Sequence, residues 1–187
     1  MAFQVNLQGV DHGEPIPDRF AKCIARDRRG DNISPALTWS DAPQGTRSFA
    51  LVVVDRDSPQ DRTQANTAGQ SLQRTAPRRD FYHWLLADIP PAVRSIREGG
   101  DGGGVKGQNS FGPRGIGANG YDGPSPPWND ELWHRYVFRL FALDVASLHL
   151  EAGFWPEDLL AAMEGHVLAE AETMHLYSTN ATLWAAT

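Results

Sequence analysis

The apolar run FALVVVDRDSP (49–59) ends in two acids, Asp55 and Asp57, two residues apart and stopped by Pro59. In an extended chain, residues i and i+2 project to the same side, so Asp55 and Asp57 are expected to point together and Arg56 away. Paired carboxylates at a strand end share a cation or a hydrogen-bonded site, or they repel one another in a solvated turn. The histidines bear on that choice. His83 opens HWLLADI (83–89), and His134 opens HRYVFRLFAL (134–143) with Tyr136 two residues on. Antiparallel neighbours set the end of one strand beside the start of the next. The two acids, both imidazoles and the tyrosine hydroxyl can therefore meet at one rim, with Ser125-Pro126-Pro127 stiffening its wall. Carboxylates near imidazoles raise the imidazole pKa and favour the cation. Two imidazoliums, a tyrosine hydroxyl and glycine amides suit an anion, phosphate above all. The plainer reading of each histidine is a packed, hydrogen-bonded residue at the mouth of a core strand, and that alternative stays open on the residues alone.

Other signals carry less. GIGANG (115–120) is literally G-x-G-x-x-G, but NSFGPR precedes it and YDGPSPPW follows it. A dinucleotide fingerprint needs a strand before and a helix after, so the match fails. There is no H-E-x-x-H, no Cys/His cluster and no G-x-S-x-G elbow, and Ser58 and Ser125 lack an evident triad. Neither a metal nor a cofactor is expected. Cys23 is the only cysteine, which excludes an internal disulfide.

The elements that must position these residues follow from periodicity. Strands are expected over 3–10, 48–54, 82–89 and 135–143, with the nearly all-apolar 48–54 covered on both faces. Residues 60–80 are polar and aperiodic and read as a long exposed loop. Between Gly99 and Gly123 the glycine density excludes regular structure. A helix is expected over 156–171, with Pro156 in its first turn, Glu157 and Asp158 complementing the dipole, and a stripe of Leu160, Met163, Val167 and Ala171. Gly165 inside that helix costs about 1 kcal/mol relative to Ala and hints at close packing there. The last stretch, 174–185, is mixed in character.

The chain has 187 residues, 41% of them apolar, with 18 glycines and 13 prolines, which favours one turn-rich, β-dominated domain. The net charge of −6, without a Lys/Arg run, argues against nucleic acid as a partner. No apolar stretch is long enough to be a transmembrane segment and the N-terminus has no signal-peptide pattern, so a cytoplasmic, soluble protein is expected.

Four ordered segments share a further property. DRDSP (55–59), HW (83–84), NSFGPRG…GYDGPSPP (109–127) and HRYVFRLFALD (134–144) resemble the phosphatidylethanolamine-binding proteins, in particular their bacterial Raf-kinase-inhibitor-like branch. AAMEGHVLAEAE (161–172) resembles that branch's closing helix. The resemblance implies a β-sandwich of two antiparallel sheets with peripheral helices, including one C-terminal helix. It also implies a small pocket for phosphate-like groups and phospholipid headgroups, built from Asp55, Asp57, His83, His134 and Tyr136. Pro59, Gly123, Ser125, Pro126 and Pro127 would shape its rim. On this reading the acids orient the histidines rather than touch the anion. Arg56 and Ser58 depart from the family's usual D-P-D-A-P, and the 60–80 loop is longer than usual.

The favoured function is a non-enzymatic small-anion or phospho-partner binding protein. Two alternatives accompany it: an inhibitor whose protein partner is a kinase or protease, captured through the 60–80 loop, and a phosphoester hydrolase using His83 or His134 with Asp55 as an acid–base pair. Bacterial members of the branch often pair, so a homodimer is also compatible with the resemblance, while the composition is silent on it.

Overall fold

The computed structural model describes residues 2–112 and 120–185, so most of GIGANG lies outside the described residues. In chain order the strands are β1 (Gln4–Leu7), β2 (Cys23–Ala25), β3 (Arg28–Arg29), β4 (Leu37–Ser40), β5 (Ser48–Pro59), β6 (Arg78–Ile89), β7 (Ser95–Ile96), β8 (Val105–Lys106), β9 (His134–Leu143) and β10 (Val167–Tyr177). Two short helices, α1 (Pro156–Met163) and α2 (Ala181–Trp184), lie on either side of β10 in the chain. A five-stranded antiparallel sheet runs β10-β9-β5-β6-β8, a three-stranded one runs β1-β4-β7, and β2 and β3 form a separate ribbon. The protein is thus mainly β, with its antiparallel sheets and peripheral helices as expected. No helix among the described residues is long and apolar enough to cross a membrane.

β5 sits at the centre of the large sheet because both its faces are apolar. Phe49, Leu51 and Val53 face the small sheet, packing in one cluster with Val5, Leu7, Leu37 and Trp39. Ala50 and Val52 face the other way, into a second cluster closed by Leu148, Phe154, Leu159 and Met163. A strand buried on both sides cannot alternate apolar with polar residues, which is why its sequence reads as a continuous run.

The expected helix over 156–171 is only half right. α1 stops at Met163, and Gly165 takes φ +80°, a left-handed conformation that favours glycine and ends the helix. A Cβ at Gly165 would meet nothing within 4 Å, so this glycine serves the turn and not close packing. From Val167 the chain becomes β10 and pairs with β9, from Tyr177 opposite His134 back to Val167 opposite Leu143. The stripe breaks up accordingly: Leu160 and Val167 are exposed, while Met163 is buried from the helix and Ala171 from the strand. The segment resembling a closing helix, 161–172, is therefore one helical turn followed by strand.

Candidate functional site

Two register shifts build the site. Val53 pairs with Trp84 and Val54 with Tyr82, so β6 carries one extra residue there, His83. A bulge of this kind re-aims a side chain. It lets His83 line a pocket while the adjacent Trp84 stays in the core between the sheets. The second shift lies in β5 between Asp55, opposite Phe81, and Ser58, opposite Arg79. Here the Asp57 amide donates back to Asp55 Oδ1 at 2.8 Å. This bulge breaks the parity on which the sequence expectation rested, and the two acids part company.

Asp55 turns to His134, whose Nδ1 donates to Asp55 Oδ2 at 2.7 Å. The Nε2 of the same ring donates to Asp130 Oδ2 at 3.1 Å. Asp130 is also forked by Arg78, at 2.5 and 3.0 Å. Burial alone would lower the His134 pKa, but the Asp55 charge and the hydrogen bonds to Asp130 and Asp55 raise it to about 9. His134 is an imidazolium with both N–H groups spent on carboxylates. Asp57 turns to Arg135, which reaches it through Nε and Nη2, both at 2.8 Å, and through its backbone amide at 2.9 Å. Burial pushes the Asp57 carboxyl up, yet Arg135 brings it below the ordinary carboxylate range.

His83 is held differently. Its Nδ1 donates to the Asp122 carbonyl at 2.6 Å, and the rings of Phe81, Phe111 and Tyr136 surround it at 5.3, 5.4 and 5.1 Å between centroids. Burial is the leading influence and lowers its pKa, against the pull of Asp55 and Asp122. The expectation of two cationic imidazoles is thus corrected: His83 is the neutral one, because aromatic walls desolvate it and its hydrogen-bond partner is a carbonyl, not a carboxylate. Asp122 is fixed in turn by Lys22 at 2.6 Å, Asn109 at 2.8 Å and Asn32 at 3.1 Å.

The pocket is lined by Asp55, His83, His134, Ser125, Pro126 and Pro127 from the sequence-derived set. It is also lined by Ser58, Arg62, Phe81 and Phe111, which that set omits. Asp57, Pro59, Gly123 and Tyr136 do not line it. Pro59 closes β5 opposite Arg78. Gly123 passes so close to the chain that a Cβ there would lie 1.9 Å from the Phe20 carbonyl oxygen. The Tyr136 hydroxyl is buried, and burial, followed by Asp55, raises its pKa well above the ordinary value, against the Ser125 backbone. The enclosed space is about 10 Å³, the room of one water-sized group. A second, wider hollow shares Arg62, Phe81 and Phe111 with it and is lined as well by Arg79 and Ser110.

The charges close in pairs. His134 and Arg78 offset Asp55 and Asp130, Arg135 offsets Asp57, and Lys22 offsets Asp122. Arg62 and Arg79 beside the pocket make no ion pair among the described residues, although the Asp55 charge reaches Arg62. Arg62 comes from the loop 60–77, which is not free. Asn129 donates to the carbonyls of Gln64 and Gln70 at 2.8 and 3.1 Å and accepts from the Asn66 amide at 2.8 Å. A polar, aperiodic loop gives no signal for such a residue. Asp130 was equally hidden, inside WNDELWH.

Fold and site together define a two-sheet β protein with a small charge-compensated pocket at one end of its larger sheet. The family model of phosphatidylethanolamine-binding proteins matches residues 7–178. A UPF0098 protein of Chlamydia muridarum is 37% identical over 174 residues, covering 93% of this chain and 97% of its own. One from Methanothermobacter thermautotrophicus is 39% identical over 149 residues, covering 79% and 84%. Among solved structures, a phosphatidylethanolamine-binding protein homolog from Chlamydia trachomatis is similar with a TM-score of 0.73 at 34% identity, over 95% of this chain and 97% of that one. YbcL of E. coli, described as a member of the mammalian family, also reaches 0.73, at 27% identity over 94% and 98%. The chain belongs to the phosphatidylethanolamine-binding protein family.

Proposed function

We propose that the protein binds a small phosphate-like anion at this pocket without turning it over. The observation that carries the reading is the charge balance. Every buried acid around the pocket has its own cation, so the guanidinium of Arg62 is left for a ligand. Ser58 and Ser125 add hydroxyls at the wall. Chemistry has less support: His134 has no free nitrogen with which to shuttle a proton, and, although His83 keeps Nε2 open, neither serine is hydrogen-bonded to a histidine among the described residues.

Titration calorimetry with inorganic phosphate on the wild type and Arg62→Gln tests the reading. Saturable binding, weakened about tenfold or more by loss of a charged hydrogen bond, is expected. Equal binding by both proteins, or none by the wild type, would refute it. A ³¹P spectrum that shows steady hydrolysis of added phosphomonoesters would overturn the non-enzymatic half.

A further inference from the structure

We infer that the deep end of the pocket accepts a hydrogen bond from a ligand hydroxyl, so the site takes hydrogen phosphate or a phosphomonoester and rejects phosphodiesters and sulfate. The inference deepens the anion-binding reading and rests on it.

The argument begins with the His83 tautomer. The Asp122 carbonyl can only accept, so the nitrogen 2.6 Å from it, Nδ1, carries a hydrogen. Nε2 is then the ring nitrogen without a protein partner, on a side chain that lines the pocket. The rings of Phe81, Phe111 and Tyr136 pack around the imidazole and disfavour charge on it. Of the charged groups facing it, Asp55 and Asp122 favour protonation and His134 opposes it, while burial outweighs them. A neutral ring with hydrogen on Nδ1 presents a lone pair at Nε2.

Asp55 lines the same space and is an acceptor only. Its Oδ1 takes the Asp57 amide and its Oδ2 takes His134, and each carboxylate oxygen retains a further lone pair. The floor therefore offers two acceptors, beside hydroxyls on Ser58 and Ser125 that can serve either way. A fully deprotonated oxygen placed there would set lone pairs against lone pairs, whereas a P–O–H group donates its one hydrogen to one of these acceptors. The enclosed space of about 10 Å³ admits one such atom, which leaves the charged oxygens outside, on the Arg62 side. The clamp of Lys22, Asn32 and Asn109 on Asp122 keeps the carbonyl in place and with it the tautomer.

Calorimetry of four probes on the wild type, at pH 6 and pH 8, separates the outcomes. Inorganic phosphate keeps an O–H at both values. A monoester such as methyl phosphate loses its last proton near pH 6. Sulfate and dimethyl phosphate have none. Phosphate binding at both pH values is expected, with methyl phosphate binding at pH 6 and at least tenfold weaker at pH 8. Sulfate and dimethyl phosphate should be at least tenfold weaker than phosphate throughout, since a site built for a hydroxyl strongly rejects analogues lacking it. The first two arms also separate free phosphate from a monoester on a larger molecule. Sulfate binding as well as phosphate would overturn the inference and leave the anion pocket standing. If no probe binds, both readings fall. In His83→Gln, whose amide can donate, the preference for phosphate over sulfate should shrink towards parity, and an unchanged ratio would count against the assignment.

Discussion

The stability of this fold should fall as pH rises through about 9, because His134 is held as a buried cation. Its pKa moves from 6.5 to about 9 on folding, so the folded chain binds that proton more tightly than the unfolded chain. The stabilisation is therefore complete below pH 6.5 and is lost as pH rises through the folded value. A tenfold difference in proton affinity between the two states is worth about 1.36 kcal/mol, which places the loss at roughly 3 kcal/mol. That is a large share of the ~5–15 kcal/mol available to a domain. Urea denaturation at pH 6.5 and pH 9.5 reads it directly. Asp55→Asn is the comparison, because its amide oxygen can still accept from His134 Nδ1 while the charge that raises the pKa is gone. The wild type should lose about 3 kcal/mol across the interval and the variant clearly less. Equal wild-type stability at the two pH values, or an equal drop in both proteins, would refute the buried imidazolium.

Two further substitutions follow from the geometry. Gly123→Ala should destabilise by roughly 3 kcal/mol, since its Cβ would fall 1.9 Å from the Phe20 carbonyl oxygen and 2.9 Å from the Tyr121 hydroxyl. A change below about 1 kcal/mol in a urea melt would contradict this. Asn129→Ala removes the anchor of the 60–77 loop and leaves buried polar groups unpaired, at a cost of about 1–3 kcal/mol. Amide exchange should quicken first within 64–72, and phosphate affinity should drop with it because Arg62 rides on the same loop; unchanged exchange would show the anchor to be idle.

What the sequence revealed, and what it hid, divides along physical lines. β5, β6 and β9 were legible because burial on both faces leaves a run of apolar residues. His134 was legible as a pocket residue because it opens β9, whereas His83 lies within β6 and not at its start, so the expectation that placed it at a strand entry was wrong. The bulges were not legible. One extra residue in β5 separates Asp55 from Asp57, and one in β6 turns His83 towards the pocket. A bulge depends on the pairing of two strands, so neither strand announces it alone. β10 was missed for another reason. Ala171, Thr173, His175 and Tyr177 are buried and alternate with Glu170, Glu172, Met174 and Leu176. That is a strand period written largely in residues with high helix propensity. Here tertiary pairing with β9 overrode propensity, and Gly165 was the signal that the helix had already ended.

An acidic protein proposed to bind an anion looks contradictory until the acids are traced one by one. The net charge is −6, and four aspartates, at 55, 57, 122 and 130, lie buried around the pocket. Unpaired, they would repel any oxyanion and would themselves be costly to bury. Each is neutralised by a different residue, drawn from three chain segments: Asp55 by His134 and Asp57 by Arg135, both of β9, Asp130 by Arg78 of β6, and Asp122 by Lys22 just before β2. The ion pairs therefore tie together the elements that wall the pocket, and they consume the cations that a sequence reading would assign to the ligand. What remains for a ligand is an acceptor floor of His83 and Asp55 and the guanidinium of Arg62 above it. On the proposed reading, charge attracts at the mouth and hydrogen-bond polarity selects at the floor. The acids that close the run FALVVVDRDSP organise the histidine and arginine next to them, and on the proposed reading they leave recognition of the anion's charge to the loop.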